Sequence, residues 1–215
     1  ELRNVYLRPF HAAVTAGAAT VMTSFGDLNG IPCTANGFLL RQILREEWGF
    51  SGFVVSDWDS VFHLKVHGLT ADDAGSALEA AQAGGDMEMA STTYKRYLAQ
   101  LVEQGKLSES VIDQAVARIL RLKLALGLFE NPYTEPEALP AYGNKQALDV
   151  ARQTARESIV MLKNAETLLP LSANTLRSIA VVGPLADAPY EQLGTWIFDG
   201  DSALSVTPLD AIRRR

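Results

Sequence analysis

Three short apolar runs separated by helical patterns dominate the first ninety residues and restrict the folds open to this chain. The runs cover residues 18–25, 52–56 and 85–89, and each has the length of a buried strand rather than of a helix. Apolar residues recur at helical spacing over 38–48, and an alanine-rich segment over 70–83 begins with a capping-box pattern. Strands alternating with helices through short joins predict right-handed βαβ crossovers and a parallel sheet.

The pattern changes after the third run. Two further helices are predicted, one over 94–103 and one that begins after Ser108 and runs to Leu126. Residues 131–144 are rich in proline and lack periodicity, so they are predicted to form a linker. A helix over 145–162 and a buried strand over 178–184 follow, and together they predict the beginning of a second α/β domain.

Composition excludes several classes of function. Of the 215 residues, 47% are hydrophobic, which is ample for a core, and the net charge of −6 provides no basic surface for nucleic acid. No apolar segment approaches the roughly 20 residues that span a bilayer. Cys33 is the single cysteine, so an internal disulfide is excluded. We therefore expect neither nucleic acid nor membrane as a partner, while the oligomeric state is not predicted.

Both ends of the chain fall inside helical patterns, at 1–7 and 208–212, and no initiator methionine is present. Three parallel strands cannot close a barrel, and an open sheet this small leaves two edges unpaired. We therefore expect an internal fragment: the last portion of one α/β domain, a linker, and the first portion of another.

Asp57 and Trp58 directly follow the second apolar run. In parallel α/β folds the loops after the carboxyl ends of strands converge and carry the chemistry. A carboxylate there can serve as a nucleophile, a metal ligand or a phosphate acceptor, and the adjacent indole can stack on a sugar or a base. The alternative interpretation is structural, with Asp57 as a turn or helix N-cap residue and Asp59 as a solvated loop carboxylate.

A second enzyme class also fits this segment. A strand followed by Asp57 and Asp59 matches phosphatases of the haloacid dehalogenase type. In those enzymes the first aspartate attacks phosphorus, the second acts as acid and base, and Mg²⁺ neutralises charge. Such a site also needs a lysine and a second acidic pair at later strand ends, and the pair Asp72 and Asp73 stands at a helix start instead.

A series of longer motifs covers nearly the whole chain in order. They occupy residues 21–25, 28–32, 43–50, 52–58, 83–89, 127–133, 155–164, 168–171 and 179–184. This ordered set resembles glycoside hydrolase family 3, and most of all its bacterial periplasmic β-glucosidase branch. The resemblance implies that 1–130 are the last part of a (β/α)₈ barrel, 131–144 a linker, and 145–215 the incomplete N-terminal part of an α/β sandwich domain.

The resemblance also implies a reaction. It predicts a retaining β-glycosidase, β-glucosidase-like, that acts on terminal β-linked sugars without metal or cofactor, with Asp57 as nucleophile. In this family the acid/base is a glutamate of the second domain, and its position would lie beyond Arg215. No residue here is therefore nominated for that role, and Glu88 and Asp59 would be wrong choices. The 215 residues alone are predicted to be inactive, and a catalytically inactive carbohydrate-binding relative stays an alternative.

The resemblance also implies which side chains contact the substrate. Trp58 matches an aromatic residue that stacks on the sugar, and Trp196 with Phe198 matches an aromatic motif of the second domain near the same cleft. Met22 and Met89 are candidates because they fall near strand ends, with core packing as the alternative. Phe25 stands where many relatives carry a tyrosine, so it lacks the hydroxyl that would bind the nucleophile. By resemblance the protein is periplasmic or secreted, and its sugar and linkage specificity is not predicted.

Overall fold

The computed structural model describes residues 1–139, 143–172 and 174–214. The chain divides into two compact units, residues 1–139 and 140–215. None of the helices in the described residues is long and apolar enough to cross a membrane.

The first unit contains five strands and seven helices of more than one turn among its described residues. In chain order they are a π-type helix (Leu2–Tyr6), α1 (Arg8–Thr15), β1 (Thr20–Met22), β2 (Asp27–Leu28), β3 (Ile31–Pro32), a second π-type helix (Phe38–Glu47), β4 (Phe53–Trp58), α2 (Ser60–Val66), α3 (Asp73–Ala83), β5 (Met87–Met89), α4 (Thr93–Glu103) and α5 (Glu109–Ala125). Two 3-10 turns complete the unit: Cys33–Ala35, which follows β3, and Pro136–Ala138 near its end. The predicted alternation of strands and helices is confirmed in this unit.

The main sheet has the order β1-β4-β5, and both of its pairings are parallel. Met22 of β1 lies opposite Val55 of β4, which in turn lies opposite Met87 of β5. The prediction of a parallel sheet is therefore confirmed, with the strand that carries Asp57 at its centre. A parallel sheet brings the carboxyl ends of all three strands to one edge.

The core lies on one face of this sheet. Val54 of β4 is fully buried, and it packs in a cluster with residues of the Phe38–Glu47 helix, of the segment before β4 and of the end of α3: Leu40, Leu44, Phe50 and Ala83. A second cluster joins α3 to α4 through Ala77, Ala81, Leu101 and Leu107. The helices therefore cover the face to which Val54 points.

The start of α3 differs from the predicted capping box. Asp72 is the N-cap residue, and its Oδ1 accepts a hydrogen bond from the Gly75 amide at 2.7 Å. The hydroxyl of Thr70 instead bonds the Ser76 hydroxyl at 2.7 Å. Gly84 ends the helix in a left-handed conformation, with φ of 110°, as its position predicts.

A hairpin formed by β2 and β3 was not expected. Asn29 and Gly30 form its two-residue turn, and both have positive φ, 55° and 78°. Asn-Gly is a common pair for such turns, because both residues tolerate the left-handed region. The hairpin lies between β1 and the Phe38–Glu47 helix, so it follows the carboxyl end of β1.

The second unit contains α6 (Lys145–Ser158), α7 (Pro208–Arg213) and short 3-10 turns among its described residues. Helix α6 ends four residues before the predicted bound of 162. The predicted strand over 178–184 is wrong for this structure: the segment is not in a strand, and Val182 is 86% exposed. A strand forms only against a partner, and no described residue of this unit is in one.

Candidate functional site

The carboxyl ends of the three parallel strands bring together five of the predicted site residues. Met22, Trp58 and Met89 are the last residues of β1, β4 and β5, and Trp58 lies opposite Met89. Asp57 is the residue before Trp58, and Phe25 follows β1 by three residues. Active sites of parallel α/β folds lie at this edge, so these residues occupy a suitable location for chemistry.

Side-chain alternation places Asp57 on the sheet face opposite the helices. Val54 and Ser56 of β4 are buried on the helix side, whereas Val55 and Asp57 are partly exposed. Successive residues of a strand point to opposite faces, so Asp57 shares its face with Val55. By the pairing register, Met22, which lies opposite Val55, shares that face as well.

Asp57 has close contacts with its neighbours along the chain. Its Oδ1 accepts a hydrogen bond from the Trp58 amide at 2.7 Å, a charge-assisted contact when the carboxyl is ionised. Its main-chain carbonyl accepts a hydrogen bond from the Ser56 hydroxyl at 2.9 Å. The Trp58 side chain is 46% exposed, so its ring offers apolar surface beside the carboxylate.

Asp59 immediately precedes α2 and has the left-handed conformation, with φ of 56°. Its amide donates a hydrogen bond to the carbonyl of Met89 at 3.1 Å, which connects the end of β4 to the end of β5. The structure therefore gives Asp59 a role in the backbone of this loop. Within the part of the chain that the structure describes, no three His, Cys, Asp or Glu side chains form a group able to hold a metal ion.

Glu88 is bound at the start of α4. One carboxylate oxygen accepts hydrogen bonds from the Ser91 hydroxyl and the Thr93 amide, and the other accepts one from the Tyr94 amide at 2.8 Å. Free amides at a helix N-terminus favour a negatively charged partner. Both oxygens of Glu88 therefore stabilise the helix start.

Asp86 forms a buried ionic cluster that was not expected from the sequence. Its side chain is 2% exposed, and it binds Arg45 at 2.5 Å and Arg118 at 2.7 Å. It also accepts a hydrogen bond from the Val54 amide at 2.8 Å. Burial lowers the pKa of Arg45, with Arg118 adding to the effect and Asp86 opposing it. Arg45 also donates to the carbonyl of Gly52 at 2.7 Å, so the cluster ties the residues before β4 to the start of β5.

Tyr94 of α4 forms a hydrogen bond next to Asp86. Its hydroxyl donates a hydrogen bond to the carbonyl of Gly85 at 3.1 Å. Burial raises the pKa of Tyr94 well above its ordinary value, and the negative charges of Glu88 and Asp86 raise it further. Tyr94 is therefore a neutral hydrogen-bond donor across the physiological pH range.

Trp196 and Phe198 lie in the second unit. Their ring centroids are 6.5 Å apart with the planes tilted by 54°, which is a favourable aromatic geometry. Both side chains are largely exposed, and Trp196 has a positive φ of 62°. The two rings together form one aromatic surface on this unit.

Two parts of the sequence match domains of one enzyme family. Residues 1–122 match the glycosyl hydrolase family 3 N terminal domain, and residues 159–215 match the glycosyl hydrolase family 3 C-terminal domain. The chain belongs to glycosyl hydrolase family 3. The resemblance to this family, which the sequence motifs indicated, is thus confirmed.

Relatives of this family 3 chain are similar over almost all of its length. It is 39% identical to a periplasmic β-glucosidase of Salmonella typhimurium over 99% of this chain and 28% of the relative. It is 40% identical to a lysosomal β-glucosidase of Dictyostelium discoideum over 91% of this chain and 24% of the relative. A crystal structure of a β-glucosidase from Listeria innocua in complex with glucose matches with a TM-score of 0.83 and 39% identity, over 100% of this chain and 30% of the other. The family 3 chain thus spans less than a third of these relatives.

The sequence analysis did not predict four polar residues that hold the strands of the site in place: Ser56, Asp86, Arg45 and Arg118. One signal was available for Ser56, which falls on the same side of the strand pattern as Val54 and is therefore predicted to be buried. No comparable signal pairs Asp86 with two arginines that lie 41 and 32 residues away.

Proposed function

We propose that this family 3 chain is part of a retaining β-glycosidase, β-glucosidase-like, that hydrolyses terminal β-linked sugars through a covalent intermediate on Asp57. One observation carries the proposal: Asp57 is partly exposed on the sheet face opposite the helices, at the carboxyl end of the central strand and next to the exposed Trp58. The family membership and the β-glucosidase names of the relatives support the same reaction class.

The chemistry suits a carboxylate in this place. An oxygen of Asp57 attacks the anomeric carbon, and the bond from that carbon to the leaving oxygen breaks with its electron pair on the oxygen. A second carboxyl group, about 5.5 Å away in retaining enzymes, protonates that oxygen and then removes a proton from the water that releases the sugar. We propose that this acid/base residue lies outside these 215 residues, and that they have no turnover alone.

We propose that the neighbouring side chains contact the sugar. Trp58 supplies an apolar ring on which a sugar can stack, and Met22 and Met89 border Asp57 from the two adjacent strands. Phe25, exposed after β1, adds apolar surface but no hydroxyl. Trp196 and Phe198 are proposed as a second aromatic surface for the same substrate.

The proposal includes the wider fold. Residues 1–130 form the last part of a (β/α)₈ barrel, with β1, β4 and β5 as its final strands, and 131–144 form a linker. Residues 145–215 form the N-terminal part of an α/β sandwich domain. The location is proposed as periplasmic or secreted, which the name of the periplasmic relative supports.

The test uses the full-length enzyme and a 2-deoxy-2-fluoro-β-glycoside with a good leaving group. We expect a covalent adduct on Asp57, found by peptide mapping, and products that keep the β configuration. Asp57→Asn is expected to lower turnover by about 10⁴-fold or more, the order found for lost nucleophiles. The matched control is Asp59→Asn, which keeps turnover because Asp59 acts through its backbone.

Three outcomes would overturn the proposal. An adduct on another residue would remove Asp57 from the nucleophile role. Mg²⁺-dependent hydrolysis of phosphate esters, lost in both variants and without glycosidase turnover, would establish the phosphatase alternative. Binding of sugars without an adduct or turnover would establish a catalytically inactive relative.

A further inference from the structure

The pairing of β4 with β5 contains an irregularity at the proposed nucleophile. Val55 lies opposite Met87 and Trp58 lies opposite Met89, so three steps along β4 correspond to two steps along β5. The extra residue falls at Ser56 and Asp57. Such a β-bulge bends the strand and changes the direction of a side chain, and bulges are frequent next to active sites.

The hydroxyl of Ser56 bridges this bulge. It accepts a hydrogen bond from the Met89 amide at 2.9 Å and donates one to the carbonyl of Asp57 at 2.9 Å. A serine hydroxyl has one donor and two acceptor sites, so it can make both bonds at once. Ser56 is 3% exposed, so little water reaches these groups to replace the hydroxyl.

We propose that Ser56 is a positioning residue for Asp57, and this inference rests on the proposed role of Asp57 as nucleophile. Ser56 points to the helix side of β4 and Asp57 to the opposite face. The hydroxyl therefore acts on the backbone of Asp57 and on the adjacent strand, and it has no direct contact with the carboxylate. By holding the bulge, it fixes the position from which the carboxylate reaches the anomeric carbon.

The size of the expected effect follows from the geometry. Without the hydroxyl, the Met89 amide and the Asp57 carbonyl lose a buried partner, and the bulge can relax toward regular pairing. A displacement of about 1 Å in a reacting group can lower a rate by about 100-fold. We expect Ser56→Ala to slow formation of the covalent intermediate by about 10- to 100-fold.

The experiment measures, in the full-length enzyme, the first-order rate constant for inactivation by the 2-deoxy-2-fluoro-β-glycoside, per folded site. Ser56→Ala should show the slower rate, and Ser56→Thr, which keeps the hydroxyl, should recover most of it. Ser51→Ala removes an exposed serine just before the same strand and should match the wild type. If Ser56→Ala does not fold, Ser56→Cys is compared instead, because its thiol has similar size but bonds weakly.

The pH profile separates positioning from an effect on charge. Because the hydroxyl binds the carbonyl and not the carboxylate, the acid side of the kcat/KM profile should keep its midpoint while its height falls. A shifted midpoint, or an inactivation rate in Ser56→Ala equal to that of the wild type, would overturn the role of Ser56. An adduct that maps away from Asp57 in the wild type would instead overturn the proposed function, so the two failures are distinguishable.

Discussion

Replacement of Asp86 by alanine tests how the strand before the site is held. In the structure the Asp86 carboxylate binds both Arg45 and Arg118 and accepts the amide hydrogen of Val54, the second residue of β4. Asp86→Ala removes the carboxylate that binds these three groups. It leaves two positive charges close together and an amide without its acceptor, at the point where β4 begins.

The magnitude follows from burial. The side chain of Asp86 is 2% exposed, and those of Arg45 and Arg118 are 13% and 22% exposed, so solvent screens the pairs only in part. Removal of one member of a buried pair costs about 3–5 kcal/mol, because the remaining charges are uncompensated. We expect a loss in this range, which is a large fraction of the stability of a typical domain.

Hydrogen exchange measured by mass spectrometry can detect this loss in the full-length enzyme. Each 1.4 kcal/mol corresponds to a factor of ten, so peptides covering β4 should lose about two to three and a half orders of magnitude of protection. The control is Asp113→Ala, an exposed carboxylate of α5, which should change stability by less than about 0.5 kcal/mol.

A double-mutant cycle isolates the ionic interaction itself. Arg118→Ala alone should cost about 1.5–3 kcal/mol, the range of a hydrogen bond to a charged group. If Asp86 and Arg118 interact as the structure indicates, the double variant costs less than the sum of the two single variants by about 0.5–3 kcal/mol. Strictly additive losses would refute the reasoning, since they would mean that the two side chains do not stabilise each other.

Two further predictions concern packing and pH. Gly52→Ala should lower the free energy of unfolding by more than about 2 kcal/mol in urea denaturation, because a Cβ there would lie 2.0 Å from the Ala19 carbonyl oxygen. Gly37→Ala meets nothing closer than 4.0 Å and is the control; equal losses would contradict the clash. The raised pKa of Tyr94 means that ionisation favours the unfolded chain above about pH 10. Stability should therefore fall from that pH upward, and less steeply in Tyr94→Phe; identical slopes would contradict this.

The elements of the first unit could be predicted because their signals are local. The strand with Asp57 and the helices that flank it follow from apolar periodicity and from glycines at helix ends, such as Gly84. The hairpin with Asn29 and Gly30 also has a local signal, since Asn-Gly is a common pair in two-residue turns. The strand over 178–184 has the same apolar signal but is not formed, because strand formation depends on a partner that periodicity cannot reveal.

In the candidate site, too, features with a local sequence signal can be predicted, and features that depend on distant segments cannot. The position of Asp57 at a strand end can be inferred from the sequence, since the apolar run stops there. The bulge at Ser56 cannot, because it depends on the register between β4 and β5, and register is a relation between distant segments. The ionic cluster of Asp86 with Arg45 and Arg118 is likewise a tertiary contact, and charged residues far apart in sequence carry no mark of their pairing.

Strand alternation separates Asp57 from the two carboxylates Asp86 and Glu88, which lie at β5. Asp86 and Glu88 are two residues apart around β5, on the side of the helices, and each is occupied, one by two arginines and the other by the start of α4. Asp57 is next to Ser56, which points to the helix side, so its own side chain faces the opposite way. A shift of one residue in either strand would exchange these sides. The carboxylates that stabilise the fold and the one proposed to act on a sugar are therefore separated by the pleat of the sheet. This separation depends on the pairing register between β4 and β5. The bulge held by Ser56 changes that register at the residue proposed to carry the chemistry.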